Sequence, residues 1–133
     1  MDLKAVTLED AEFLYELLKQ REGRVNISHR SIPTLTEHRD YIENHSYQSW
    51  DIILVDNNKV GNIYLTQRDE IGIFLDKKFQ GRGYGSQALK QFMKKNGKKL
   101  KGKKLFIPMP DKTIEVTVSD TVFLDKEGDR LNA

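Results

Sequence analysis

Gln80-Gly81-Arg82-Gly83-Tyr84-Gly85-Ser86 joins two runs of different character. Before it stands a short apolar run, Ile71-Gly72-Ile73-Phe74-Leu75, that reads as a strand. After it, Gln87-Ala88-Leu89-Lys90-Gln91-Phe92-Met93-Lys94-Lys95 reads as a helix from about Ser86. Glycines at three alternate positions allow a sharp turn and positive φ without a Cβ penalty. The first N–H groups of a helix have no internal partner, and the helix dipole adds positive potential there. Strand, glycine turn and helix start therefore predict an anion site suited to phosphate or pyrophosphate. A turn with no ligand is the plainer alternative, but three alternate glycines exceed what a turn requires.

Outward from this loop, residues 50–55, 60–66 and 70–76 read as three strands of a meander, with turns at 56–59 and 67–69. Leu8, Ala11, Leu14, Leu17 and Leu18 recur at helical spacing. They predict an amphipathic helix from Leu8 to about Gln20, capped by Thr7 and ended by Gly23. Residues 24–35 look irregular, and Thr34 or Thr36 can cap a second helix over about 37–44. Residues 1–6 suit a short first strand. Downstream, Asn96-Gly97 stops the loop's helix, and Leu105-Phe106-Ile107 is a short strand. Residues 113–118 and 121–124 read as strands about a Ser119-Asp120 turn. The order of elements predicts an α+β (mixed α/β) fold in one domain, residues 1–133, with one sheet.

A chain of 133 residues with 38% apolar and 32% charged residues reads as a soluble globular protein. There is no cysteine, which excludes a disulfide scaffold, a thiolate zinc site and a cysteine nucleophile. A net charge of +2 gives no global field toward nucleic acid or membrane, and neither partner is expected. Lys94, Lys95, Lys98, Lys99, Lys101, Lys103 and Lys104 form a basic run; the lack of interleaved aromatics argues against a nucleic-acid contact, and a solvated face or a contact to a ligand phosphate are its readings. No apolar stretch approaches a membrane span, and Met1-Asp2-Leu3-Lys4 does not open a signal peptide. A cytoplasmic location is the expectation. His29, His38 and His45 have no spacing that suggests a metal site.

Among glycine motifs, a Rossmann fingerprint fails at Ser86, and a Walker loop is absent. The remaining match is Q-x-x-G-x-G, carried by Gln80, Gly83 and Gly85 between a strand and a helix. This resembles motif A of the GNAT acyltransferases, whose backbone amides hold the pyrophosphate of acetyl-CoA. Val6-Thr7-Leu8-Glu9-Asp10-Ala11 resembles that family's opening strand and helix, and Val60-Gly61-Asn62-Ile63-Tyr64-Leu65 its third strand. Thr34-Leu35-Thr36-Glu37-His38 is similar to the second helix of members acting in surface-sugar biosynthesis. The resemblance covers roughly residues 1–107.

The resemblance implies a central, mostly antiparallel, twisted sheet with helices on both faces. It implies acetyl-CoA as acyl donor, with the pantetheine along Ile73, Phe74 and Leu75. The pyrophosphate would meet Gly81, Arg82, Gly83, Tyr84, Gly85 and Ser86 after Gln80, and Arg82 is either a phosphate contact or a solvated loop residue. Glu70 is the expected base, ahead of Asp76. A strand amide near Phe74 or Leu75 would stabilise charge on the thioester oxygen. His29 and His38 flank the acceptor-side segment and are weak substrate candidates beside an exposed-surface reading. Tyr47 and Trp50 read as packing. The implied acceptor is a primary amine of a small molecule, an amino sugar being one candidate. A homodimer stays open. The tail departs from the family: no tyrosine follows Tyr84, so the usual acid for the thiolate has no counterpart. A native hairpin or a shifted reading frame would each explain residues 108–133. The alternative to an enzyme is a catalytically impaired CoA-binding domain.

Overall fold

Thr7 turns the chain from its first strand into its first helix. In the computed structural model, which describes residues 1–25, 33–108, 113–119 and 122–125, β1 (Asp2–Ala5) is followed by a 3-10 turn, Leu8–Asp10, and then α1 (Ala11–Val25). Thr7 Oγ1 accepts from Glu9 N at 3.3 Å, and Asp10 Oδ2 accepts from Thr7 N at 2.9 Å. This reciprocal cap satisfies donors that the helix start leaves open. Helix α1 passes through Gly23 rather than ending there. One glycine inside a helix costs only about 1 kcal/mol relative to alanine, which does not stop it. Of the two threonines able to cap the second helix, Thr34 does so, and α2 spans Leu35–Glu43.

Strands β2 (Ser49–Val55), β3 (Asn58–Leu65) and β4 (Ile71–Leu75) form the expected meander, and β1 pairs with β2. Asp56 and Asn57 take φ of 52° and 67° in the β2–β3 turn, the left-handed pair that matches hairpin twist. Alternation along these strands divides the core. Trp50, Ile52, Tyr64 and Phe74 pack toward α1 and α2. Ile53, Ile63, Leu65 and Ile71 pack on the opposite face against α3 (Tyr84–Lys95), where Phe92 is fully buried. Helices therefore cover both faces. Helix α3 starts two residues before Ser86, and Asn96 separates it from a short α4 (Gly97–Leu100).

The strands do not make one sheet. After β4, the chain forms a second antiparallel sheet from β5 (Lys104–Pro108), β6 (Thr113–Ser119) and β7 (Val122–Asp125). Among the described residues, the two sheets join at a parallel bridge between Glu70 and Phe106, where Phe106 N donates to Asp69 O at 2.9 Å. Residue patterns show which segments are strands, but not which edges pair, so the break was not visible in the sequence. The hairpin of β6 and β7 follows the alternation read in the tail.

Asp10 closes the β1–α1 corner. It is fully buried, with Lys59 Nζ at 2.7 Å and Lys4 Nζ at 3.4 Å. Burial pushes its carboxyl up, but hydrogen bonds from Lys59 and the Thr7 amide and the charges of both lysines outweigh this and hold it below the usual carboxylate value. A depressed folded pKa adds stability that is fully present above the unfolded value, about 3.9, and is lost as pH falls through the folded value. Asp10→Asn is therefore expected to reduce stability at neutral pH by about 1–3 kcal/mol. Urea titrations from neutral pH down to about pH 3 should show a shallower acid decline for the variant than for wild type. Parallel declines would contradict this role.

Candidate functional site

Two positive-φ glycines shape the loop after β4. Gly81 has φ 80° and Gly83 φ 78°. Gly85 does not share this conformation: it lies in the first turn of α3, where an added Cβ would touch Leu75 Cδ1 and Ile73 Cγ2 at 3.9 and 4.0 Å. Two left-handed residues, not three, thus make the turn. Gly83 is the N-cap and offers no side-chain cap, and the first helical bond is Gln87 N to Gly83 O at 3.2 Å. The amides of Tyr84, Gly85 and Ser86 consequently have no helical acceptor. Beside Gly81 a Cβ would meet nothing within 4 Å, so the loop is open on that side.

Gln80 ties this loop to the strand, its Nε2 donating to Leu75 O at 2.9 Å. Arg82 is exposed, and its guanidinium lies over the Phe79 ring at 5.8 Å. Asp76 Oδ1 accepts from Lys78 N at 3.1 Å, capping a 3-10 turn over Lys77–Phe79. In the basic run, Lys95, Lys103 and Lys104 pair with Asp51, Asp69 and Glu115.

Among the described residues, β4 pairs with β3 on one edge, and the other side meets β5 at the Glu70–Phe106 bridge. The loop of residues 76–83 leads directly from the end of β4 to the α3 N-terminus. An extended chain carrying amides could lie along such a strand edge, with its phosphates on the free helix amides. The residues present fit coenzyme A in this respect.

Glu70 is half-buried at the bridge, its N–H donating to Thr66 Oγ1 at 3.1 Å and its carbonyl accepting from Thr66 N at 2.9 Å. By alternation it shares a face with Gly72 and Phe74. That face borders a cavity of about 390 Å³ under α1 and α2. Phe74 lines the cavity, and Glu70 is not among its lining residues. Ile73 and Leu75 instead pack toward α3.

The cavity brings together residues the sequence reading left apart. Helices α1 and α2 contribute Arg21, Glu37, His38 and Tyr41, and the sheet contributes Trp50, Asn62 and Tyr64. Tyr47 stacks on Tyr64 at 4.5 Å and meets Trp50 edge-on at 5.0 Å. Tyr64 has room because its cross-strand partner is Gly72, where a Cβ would overlap the phenol ring. Tyr47 and Trp50 were read as packing; they pack and also line the cavity. Trp50 pairs with Tyr64 across the hairpin, but a register shift at Ile53/Leu54 means that counting back from the turn would pair it with Ile63 instead.

His38 corrects the exposed-surface reading. It is 8% exposed, 5.6 Å from the Tyr15 ring and 6.4 Å from the Tyr41 ring. Burial lowers its pKa, which favours the neutral ring. The Tyr47 phenol is pushed up by burial and by its bond from Tyr41, so it stays protonated. His29 lies outside the described residues. No group of three or more His, Asp or Glu side chains among the described residues could hold a metal.

Comparison with known proteins agrees with this geometry. The model of the acetyltransferase (GNAT) domain matches residues 1–111. The chain belongs to the GNAT acetyltransferase family. No curated protein matches it. Solved structures with the same fold include an acetyltransferase from Thermus thermophilus, 23% identical, covering 80% of this chain and 73% of that one with a TM-score of 0.59. RimL, a ribosomal L7/L12 alpha-N-protein acetyltransferase solved with coenzyme A, is 18% identical over 79% of this chain and 68% of its own, with a TM-score of 0.62. AAC(6')-Ib, solved with paromomycin and acetyl-CoA, is 19% identical over 82% and 73%, with a TM-score of 0.58.

The glycine conformation gives a direct expectation. An L-residue in the left-handed region costs about 1–2 kcal/mol, so Gly83→Ala should weaken CoA binding by roughly tenfold in calorimetry. Circular dichroism should show the helices intact. Unchanged affinity would mean that the Gly83 conformation does not set the cofactor cradle.

Proposed function

We propose that this GNAT domain is an acetyl-CoA-dependent N-acetyltransferase that moves an acetyl group to a primary amine of a small molecule. The observation that supports this reading is the loop that leaves β4: two positive-φ glycines bring the chain to the uncapped amides at the start of α3. Acetyl-CoA would lie with its pyrophosphate on the amides of residues 81–86 and its pantetheine beside Ile73, Phe74 and Leu75. The amine would reach the thioester from the side of the cavity that Phe74 lines.

Transfer forms a C–N bond and breaks the C–S bond, so the amine must arrive neutral. A free alkylamine has a pKa near that of lysine, about 10.4, and a base must take its proton. We assign this to Glu70, directly or through a water, because it stands at the strand start on the cavity face. A backbone amide near Phe74 or Leu75 would hold the developing oxyanion. The proton gained by the thiolate has no assigned donor.

A CoA-binding domain without turnover is the second reading. The strands β6 and β7 and the lack of any tyrosine after Tyr84 favour it. Thiol release from acetyl-CoA across a panel of amines separates the two. Glu70→Gln is expected to lower kcat/KM by roughly 10²- to 10⁴-fold, with CoA affinity unchanged. Wild-type activity in that variant would remove Glu70 as base. Background rates for both forms, with CoA still bound, would favour the binding-only reading.

A further inference from the structure

The cavity under α1 and α2 carries information about the acceptor. Its charged lining is one acid, Glu37, and one base, Arg21. Glu37 is already engaged in its own helix, where Oε1 accepts from Thr34 N at 2.9 Å. Backbone and side-chain bonds from Thr34 keep its carboxyl below the usual value. A molecule with several ammonium groups would find no second carboxylate among the described lining residues, and a buried charge without a partner is unfavourable.

The uncharged polar groups are mostly matched within the protein. Asn62 Oδ1 accepts from Trp50 Nε1 at 3.0 Å, and the Tyr41 phenol donates to that of Tyr47 at 2.8 Å. His38 Nε2 differs: it is buried, its residue borders the cavity, and among the described residues no group pairs with it. Buried polar atoms are nearly always hydrogen-bonded, so such an atom beside a cavity points to a bond supplied by what fills the cavity. The ring walls, in turn, suit a flat body with apolar faces.

We propose that the cavity holds the body of a monoamine acceptor: an uncharged, flat-faced group that lies against Tyr41, Tyr47 and Trp50 and gives a hydroxyl or amide to His38 Nε2. This rests on the acetyltransferase reading and narrows its acceptor class. Amino sugars and phenolic amines share this chemistry; linear polyamines and multiply charged amines do not. Aromatic faces also attract cations, which makes polycations the competing occupants.

Trp50 is the sole tryptophan of the chain and lines the cavity, so its emission reports occupancy whether or not turnover occurs. Wild-type protein with CoA present is titrated with glucosamine, tyramine, their hydroxyl-free analogues cyclohexylamine and phenethylamine, and spermidine and kanamycin. Glucosamine or tyramine is expected to bind at least about tenfold more tightly than either polycation, and about tenfold more tightly than its own hydroxyl-free analogue. His38→Phe, which keeps a packed ring, removes the hydroxyl preference, and His38→Gln, which can still hydrogen-bond, retains part of it. Tighter binding of polycations, a hydroxyl preference that survives His38→Phe, or no response to any amine would overturn the proposal. Calorimetry with CoA on the same samples tests the acetyltransferase reading separately. CoA binding without the expected amine selectivity would overturn the acceptor class alone.

Discussion

The divergence of β4 from β5 is the constraint on which the site depends. A strand edge with open N–H and C=O groups invites pairing, and proteins normally cover or blunt such edges. Here the parallel bridge at Glu70 and Phe106, backed by the bond from Phe106 N to Asp69 O, holds the two sheets together at one end. Leu105 and Ile107 anchor β5 in the core on the α3 side. Among the described residues β4 and β5 share no ladder beyond the bridge, and the loop after β4 leads to the first amides of α3. The edge and the helix start together offer hydrogen bonds to a long ligand with phosphates at one end.

Side-chain alternation lets β4 serve two cores at once. Ile71, Ile73 and Leu75 pack toward α3 and fix the strand, while Phe74 faces α1 and α2. Gly72, between them, has no side chain, and Tyr64 from β3 occupies the space above it. Tyr47 stacks on Tyr64, and Trp50 closes the corner, so the aromatic wall rests on a missing Cβ. The strand that would bear the acyl donor therefore also forms the floor of the cavity.

Much of this was legible in the residues. Thr7 and Thr34 announced two helix starts, and the Asp56-Asn57 turn announced the hairpin. The order of strand, glycine loop and helix matches β4, the loop and α3, although of the three glycines only Gly81 and Gly83 adopt positive φ. What escaped was long-range. His38 sits between exposed Glu37 and Arg39, so its local pattern is polar; the Tyr15 and Tyr41 rings bury it. The aromatic cavity combines α1, α2 and three strands, and no single periodicity reports such a meeting. The break into two sheets depends on edge pairing, about which composition is silent.

The central claim is that coenzyme A binds along β4 with its pyrophosphate at the start of α3. Backbone amide NMR of the labelled protein, with and without CoA, tests it residue by residue. The account predicts that the largest shifts fall at Tyr84, Gly85 and Ser86, with a second set along Ile73–Leu75, and little change in β1. Saturating CoA that leaves those amides in place while shifting others would contradict it.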